Sequence, residues 1–423
     1  MKTYLEGHLA PVPDEIDATG LAVEGVLPAE LNGRYFRNGP NPRPGEDPGH
    51  WFAGHGMLHG VRLRDGRAEW YRNRWVRTSL FTDGASFVGD NGFDRAAVQA
   101  NTHVVRHADK ILALVEVGLP YEVDGELNTI GPCDFGGRLT TSGMTAHPKE
   151  LDGELHFFGY GFAPPYLTYH RLDAKGELVE SRVVDVPGPT MMHDFAVTEH
   201  YVVWLDLPVV FDLDRLGGGM PYGWDDGYGA RLGVMDRAGK VTWFEIDPCY
   251  VFHVGNARED AAGRVVLDGV RYTREAFTSV WDEIGGEQDP AAHAAGATLH
   301  RWTLDPATGR AAEAQLDDRQ VEFPTFNDER LGRASRYLYT VTDAEIVKYD
   351  TESGTSQVRA IDGRPGEAVF VPAQAARTED DGWLMSIVHD RLLVLDAAGL
   401  ETVATVRLPR RVPAGFHGSW IAD

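Results

Sequence analysis

The chain of 423 residues carries 64 acidic against 40 basic side chains, a formal charge of −24 that repels phosphate backbones and excludes nucleic-acid binding as the expected role. Its 43% hydrophobic and 25% charged residues are those of a folded protein with a large core, and no run of about 18 apolar residues offers a membrane span. Cys133 and Cys249, neither in a CxxC, argue against a disulfide scaffold or a zinc-thiolate site, and a reduced cytoplasm is the expected compartment.

In chain order, residues 1–30 are Pro-rich and acidic and are expected to wrap the surface ahead of the first strand, with no apolar core of signal-peptide length. LNGRYFRNGPNP (31–42) is turn-dense around a Tyr-Phe strand. GHWFAGHGMLHGVRL (49–63) sets His55 and His59 four apart, as in a zinc-protease helix. Gly54, Gly56 and Gly60 surround them and no Glu follows His55, so the segment reads as a loop running into a strand.

From there short alternating strands are joined by Asp…Gly turns, among them LDGEL (151–155), DRAGKV (236–241), EDAAGRV (259–265), DPATGR (305–310), DTESG (350–354) and DAAGL (396–400). The Asp positions 260, 305, 350 and 396 recur at spacings of 45, 45 and 46. A four-stranded propeller blade takes about 40–50 residues, so the period predicts an all-β propeller rather than a sandwich. Residues 1–423 are read as a single propeller domain. Within it, QANTHVV and ILALVEV flank the turn His107–Lys110, a hairpin that sets Thr102 opposite Val115 and diagonal to Glu116.

Four histidines sit in short apolar contexts: His147 in MTAHP, His193 in PGPTMMHDFAV, His253 in YVFHVGNA and His417 in AGFHGSW. The first three are 46 and 60 residues apart, and the fourth follows after 164, close to three further steps of that size. Each is either a hydrogen-bonded core imidazole or a metal ligand, and recurrence at blade-like intervals favours one shared site. Three acids also stand in strand contexts: Glu116, Glu322 in QVEFPTFN and Glu367 in GEAVFVP. Each is a sheet-end charge or the partner of a metal-bound imidazole, since a buried carboxylate is costly unless paired.

Two segments break the rhythm. Residues 207–229 join apolar bulk to a Gly-rich hinge, which reads as a lid or apolar entrance, or else as a surface excursion. Residues 273–300 form a long insertion with a helix, whose His293 is given no role.

Taken together, LNGRYFRNGPNP, NTHVV…LALVEVGLP, MTAHPK, PTMMHDF, YVFHVGNA, VEFP, GEAVFVP and GFHGSW resemble the carotenoid cleavage oxygenase family. The likeness runs from about residue 31 to the end of the chain. It implies a seven-bladed propeller with loops capping one face and Fe(2+) on the axis. The ligands it implies are His147, His193, His253 and His417. Glu116, Glu322 and Glu367 follow as outer partners of His193, His253 and His417, leaving His147 without one. Thr102 matches the position that crowds an open coordination site.

The activity implied is O2-dependent cleavage of the C=C bond of a hydrophobic alkene into two carbonyl products. In the stilbene- and phenylpropenoid-cleaving branch a lysine precedes the first outer glutamate. Here that position is Val115, which favours a carotenoid or apocarotenoid over a 4-hydroxystilbene, while the short chain with its trimmed loops equally suits a smaller substrate such as a vinyl phenol. The 207–229 segment is the expected place for transient membrane-surface contact. Two other classes are a propeller hydrolase with calcium or zinc on its axis, where calcium calls for oxygen ligands rather than the recurring His, and a non-catalytic interaction propeller, which leaves the four histidines and three acids unexplained.

Overall fold

Short strands buried on both faces need sheets stacked on sheets, and radial stacking around an axis does this while leaving only short edges. A computed structural model describes residues 2–89, 92–215, 220–286 and 296–423. It is a seven-bladed β-propeller of antiparallel sheets. Blade 1 runs outward from Gly418–Ala422 through Gly33–Pro40, Gly56–Arg64 and Arg67–Trp75. Blades 2 to 7 each run outward in chain order from an inner strand: His103–His107, Lys149–Leu151, Ala196–Val197, Val254–Glu259, Glu322–Thr325 and Val369–Pro372. These inner strands neighbour one another around the axis.

Apolar clusters fill the spaces between blades. Leu112, Leu114, Leu155 and Phe157 join blades 2 and 3, and Tyr339, Ile346, Leu384 and Leu393 join blades 6 and 7. The ring closes by pairing the two ends of the chain, with Arg37 opposite Gly418 and Gly33 opposite Ala422.

The first thirty residues differ from the expectation that they precede the sheet structure. Asp17–Thr19 adds an outer strand to blade 1, and Val23–Gly25 adds one to blade 7. Three-residue strands flanked by prolines and acids lack the apolar alternation that marks a longer strand.

The Asp…Gly turns have the expected chemistry. The Asp350 carboxylate accepts from the backbone of Glu352 and Ser353 at 3.1 Å, and Gly354 takes a φ of 71° that closes the turn. Their period is only partly a blade period. Asp305, Asp350 and Asp396 end the third strands of blades 5, 6 and 7, but Asp260 follows the first strand of blade 5. The 45-residue step from Asp260 to Asp305 therefore lies within one blade, stretched by the insertion that carries helix Arg274–Ile284.

Strand alternation decides which face carries the loops. An inner strand starts on one face, so the second strand ends there and its connection to the third lies on that same face. Both insertions are such connections. Val209–Phe211 pairs with Tyr222–Trp224 in blade 4, and helix Arg274–Ile284, capped by Thr273, buries Phe277 and Trp281 above blade 5. His293 lies outside the described residues.

Candidate metal centre

Seven blades give seven topologically equivalent positions where the chain enters an inner strand. They hold Thr102, His147, His193, His253, Glu322, Glu367 and His417, each at the first residue of its inner strand or up to three residues before it. Every candidate residue except Glu116 thus reaches the axis by the same backbone route. Glu116 arrives on the same face by the other route, just past Lys110–Leu114, the second strand of blade 2. The hairpin has the register read from its sequence, with His103 opposite Leu114, and Thr102 N–H donates to the Leu114 carbonyl at 3.0 Å.

His147, His193, His253 and His417 are all buried, and their facing nitrogens lie within 4.8 Å of one another. His147 Nε2 is 3.0 Å from His193 Nε2, which is 3.3 Å from His253 Nε2. The opposite ring nitrogens meet carboxylates. His253 Nδ1 is 2.6 Å from Glu322 Oε2, His417 Nδ1 is 2.9 Å from Glu367 Oε1, and His193 Nδ1 contacts Glu116 Oε1. Among the described residues no carboxylate pairs with His147.

Burial is the first cause of the pKa shifts. It holds His253 at about 3 and keeps His147, His193 and His417 well below 6.5. All four rings are therefore neutral near pH 7. Burial also raises Glu322 and Glu367 to about 7.

The donor set fits a metal ion. An imidazole whose Nδ1–H is donated to a carboxylate has only a lone pair left on Nε2. Three such lone pairs converge here, and the buried His417 Nε2 has no hydrogen-bond partner. Converging acceptors need a cation, and two ligands at about 2.1 Å meeting at a right angle stand about 3.0 Å apart. The acids face away from the cluster centre, which removes the oxygen-rich site expected for calcium.

Two tyrosines invisible to sequence reasoning grip the acids. Tyr160 donates to Glu116 Oε2 at 2.6 Å, and Tyr272 donates to Glu322 Oε1. Burial raises both phenols well above 10, so each keeps its proton. Glu367 uses its second oxygen on the Gly418 amide, at 2.7 Å.

His193, His253 and His417 open onto a cavity of about 880 Å³, which Thr102 and Val115 also line. Its wall is mainly apolar, with Trp51, Phe52, Phe252 and Phe416 among its residues, and charged side chains such as Glu283, Arg364 and Arg411 also line it. Trp51 and Phe52 come from the loop over blade 1, where their rings lie 4.6 and 5.3 Å from that of Phe416.

Comparison with known proteins follows the same lines. The model of the family described as "Retinal pigment epithelial membrane protein" matches residues 9–422. The "Carotenoid cleavage oxygenase" of Mycobacterium tuberculosis is 40% identical, over 99% of this chain and 97% of that one. "Carotenoid 9,10(9',10')-cleavage dioxygenase 1" of Arabidopsis thaliana is 36% identical, over 99% and 90%. Among solved structures, Pseudomonas brassicacearum lignostilbene dioxygenase superposes with a TM-score of 0.88 at 27% identity, covering 100% and 98% of the two chains. Cobalt-substituted Synechocystis apocarotenoid oxygenase gives 0.83 at 27%, covering 98% and 97%. With its propeller, its axial imidazole cluster and a match across nearly its whole length, the chain belongs to the retinal pigment epithelial membrane protein family, that of the carotenoid cleavage oxygenases.

Proposed function

We propose that this protein is an Fe(II)-dependent dioxygenase that cleaves one C=C bond of a carotenoid or apocarotenoid with O2. The observation that carries this reading is a cluster of four imidazoles, three of them acceptor-only through their carboxylate partners and opening onto a mainly apolar cavity. His147, His193, His253 and His417 are the proposed ligands. Glu116, Glu322 and Glu367 fix three of the rings and balance the charge of a dication that four neutral ligands leave intact. Bound ferrous iron supplies the one-electron chemistry through which triplet O2 can react with a closed-shell alkene. The balance is one alkene plus one O2 giving two carbonyl compounds, with no external reductant.

The chain's own groups hold the site and shape what enters. The apolar part of the wall excludes water, and its aromatic rings offer stacking surface to a flat polyene. Thr102 narrows the cavity beside the cluster. Val115, packed with the apolar residues between blades 1 and 2, brings neither a cation nor a hydrogen-bond donor to the cavity. Beside the metal cluster, substrate choice then rests on length and shape, and a long apolar alkene suits this part of the wall best.

The likeness in shape to a lignostilbene dioxygenase favours a second reading, the same chemistry on a stilbenoid or phenylpropenoid alkene. Incubating the iron-loaded protein with carotenoids, apocarotenals, stilbenoids and vinyl phenols, and reading products by mass, decides between them. Cleavage of polyenes or apocarotenals supports the first reading, and cleavage confined to 4-hydroxylated stilbenes or vinyl phenols supports the second.

Exposed Val88, Phe93 and Leu213 beside the stacked rings of Phe162 and Phe211 support transient contact with a membrane surface as the source of apolar substrate. No helix among the described residues is long and apolar enough to cross a membrane. Two free, buried cysteines support the cytoplasm as its compartment.

A further inference from the structure

Asp194 follows His193 and is 1% exposed. Its Oδ1 accepts from the Phe195 amide at 2.7 Å and faces Lys149 Nζ at 2.8 Å, while Oδ2 accepts from the Val254 amide at 2.9 Å. The partners are informative. Lys149 comes two residues after His147, and Val254 comes directly after His253. One carboxylate therefore ties together the chain segments that carry three of the four imidazoles, across blades 3, 4 and 5.

We propose that Asp194, anchored by Lys149, is a positioning residue for the metal centre, setting the mutual distances of His147, His193 and His253. The proposal rests on the metal-centre reading above. His193 and His253 each have a glutamate on Nδ1 to fix the ring, but a glutamate orients its ring without fixing the distance between two backbones. His147 has no such acid, so its placement depends on its own segment, which Lys149 pins to Asp194. The Asp194 carboxylate is buried with both oxygens engaged and its Lys149 partner is mostly buried, an arrangement that holds one geometry because losing the lysine leaves a buried charge uncompensated. The known pattern for groups behind metal ligands is a 10–100-fold loss of affinity on removal.

The test uses Co(II) alone as probe, the metal held by the cobalt-substituted Synechocystis relative. Wild type, D194N and the double variant D194A/K149M, which removes both charges together, are titrated while the ligand-field bands are followed. Metal-free melting curves are recorded in parallel. The expected result is one Co(II) per wild-type chain and about 10–100-fold weaker binding with shifted bands in both variants, with metal-free melting preserved in the double variant. Wild type that binds no Co(II) overturns the metal-centre reading itself. Wild type that binds, with variants that match it in affinity and band shape, overturns the role of Asp194 and leaves the centre standing. Variants that lose their metal-free fold show Asp194 to be part of the general framework, which also overturns the proposal.

Discussion

His253 Nδ1 and Glu322 Oε2 stand 2.6 Å apart across the boundary between blades 5 and 6, each where its chain enters the inner strand. His417 and Glu367 repeat the relationship across the boundary between blades 1 and 7, at 2.9 Å. A propeller offers this economy: one backbone route, used once per blade, delivers the four imidazoles and two of the three carboxylates beside them to a single axis. Glu367 is buried and Glu322 mostly so, which makes them costly unless they serve the rings.

Replacing Glu116, Glu322 or Glu367 by Gln keeps the volume and removes the charge. Each change is expected to lower iron occupancy or turnover by about 10–100-fold. Metal analysis and steady-state rates check this. Full iron content and full activity in all three variants would reduce the acids to packing.

Tyr160→Phe and Tyr272→Phe each remove one hydrogen bond to an acid that itself holds a ring. Each change is expected to cost about 1–3 kcal/mol of stability through the acceptor left unsatisfied, and to weaken metal binding less than loss of the acid does. Calorimetry of the metal-free protein and a Co(II) titration separate the two effects. A tyrosine variant that loses more metal affinity than the matching glutamine variant would reverse this order of importance.

How much of the fold and site is legible in the sequence depends on residue type. Histidine and glutamate in apolar strand contexts are conspicuous, and the spacing of the histidines by itself points to a ring of blades. Tyr160 and Tyr272 read as ordinary core aromatics, because nothing local distinguishes a phenol that donates to a distant carboxylate from one that fills space. Asp194 and Lys149 read only as the surroundings of His193 and His147, since their pairing exists only once blades 3 and 4 stack. The turn at Asp260 matches the period for the wrong reason, because inner and outer turns of a blade use the same Asp…Gly chemistry.

Acid should destabilise the metal-free protein. His253 is held at about 3, His103 at about 4, and His147, His193 and His417 well below 6.5, all through burial. The unfolded chain takes up these protons near pH 6.5 while the folded one does not, so their contribution is present above 6.5 and is lost as pH falls below it. Glu322 and Glu367, raised to about 7 by burial from 4.5, work the other way, since the folded protein takes up their protons first. His50, His156, His170 and His300, each held at about 4 by burial, add to the imidazole side, and Asp328, raised to about 6, to the acid side, so the imidazoles outweigh the acids. Tm is expected to fall between pH 6.5 and pH 5, and a Tm that is level or rises over that interval would contradict this balance.

Val115→Lys places an ammonium in an apolar wall beside Glu116. Wild type is expected to turn over polyenes or apocarotenals faster than 4-hydroxystilbenes, and to respond weakly to loss of the phenol. The variant should shift toward phenolic substrates, at some cost in stability from burying the charge. Rates for matched stilbenes with and without the hydroxyl check this. A wild type that ignores polyenes and loses activity when the phenol is methylated would favour the stilbenoid reading.

The most direct measurement is cleavage by the Fe(II)-loaded protein of an apocarotenal under 18O2, with both products analysed by mass before their carbonyls exchange with water. Two newly formed carbonyl groups, each carrying one 18O and neither appearing without iron, are the expected result. Label in only one product, or cleavage undiminished in the iron-free protein, would contradict an iron dioxygenase built on these four histidines.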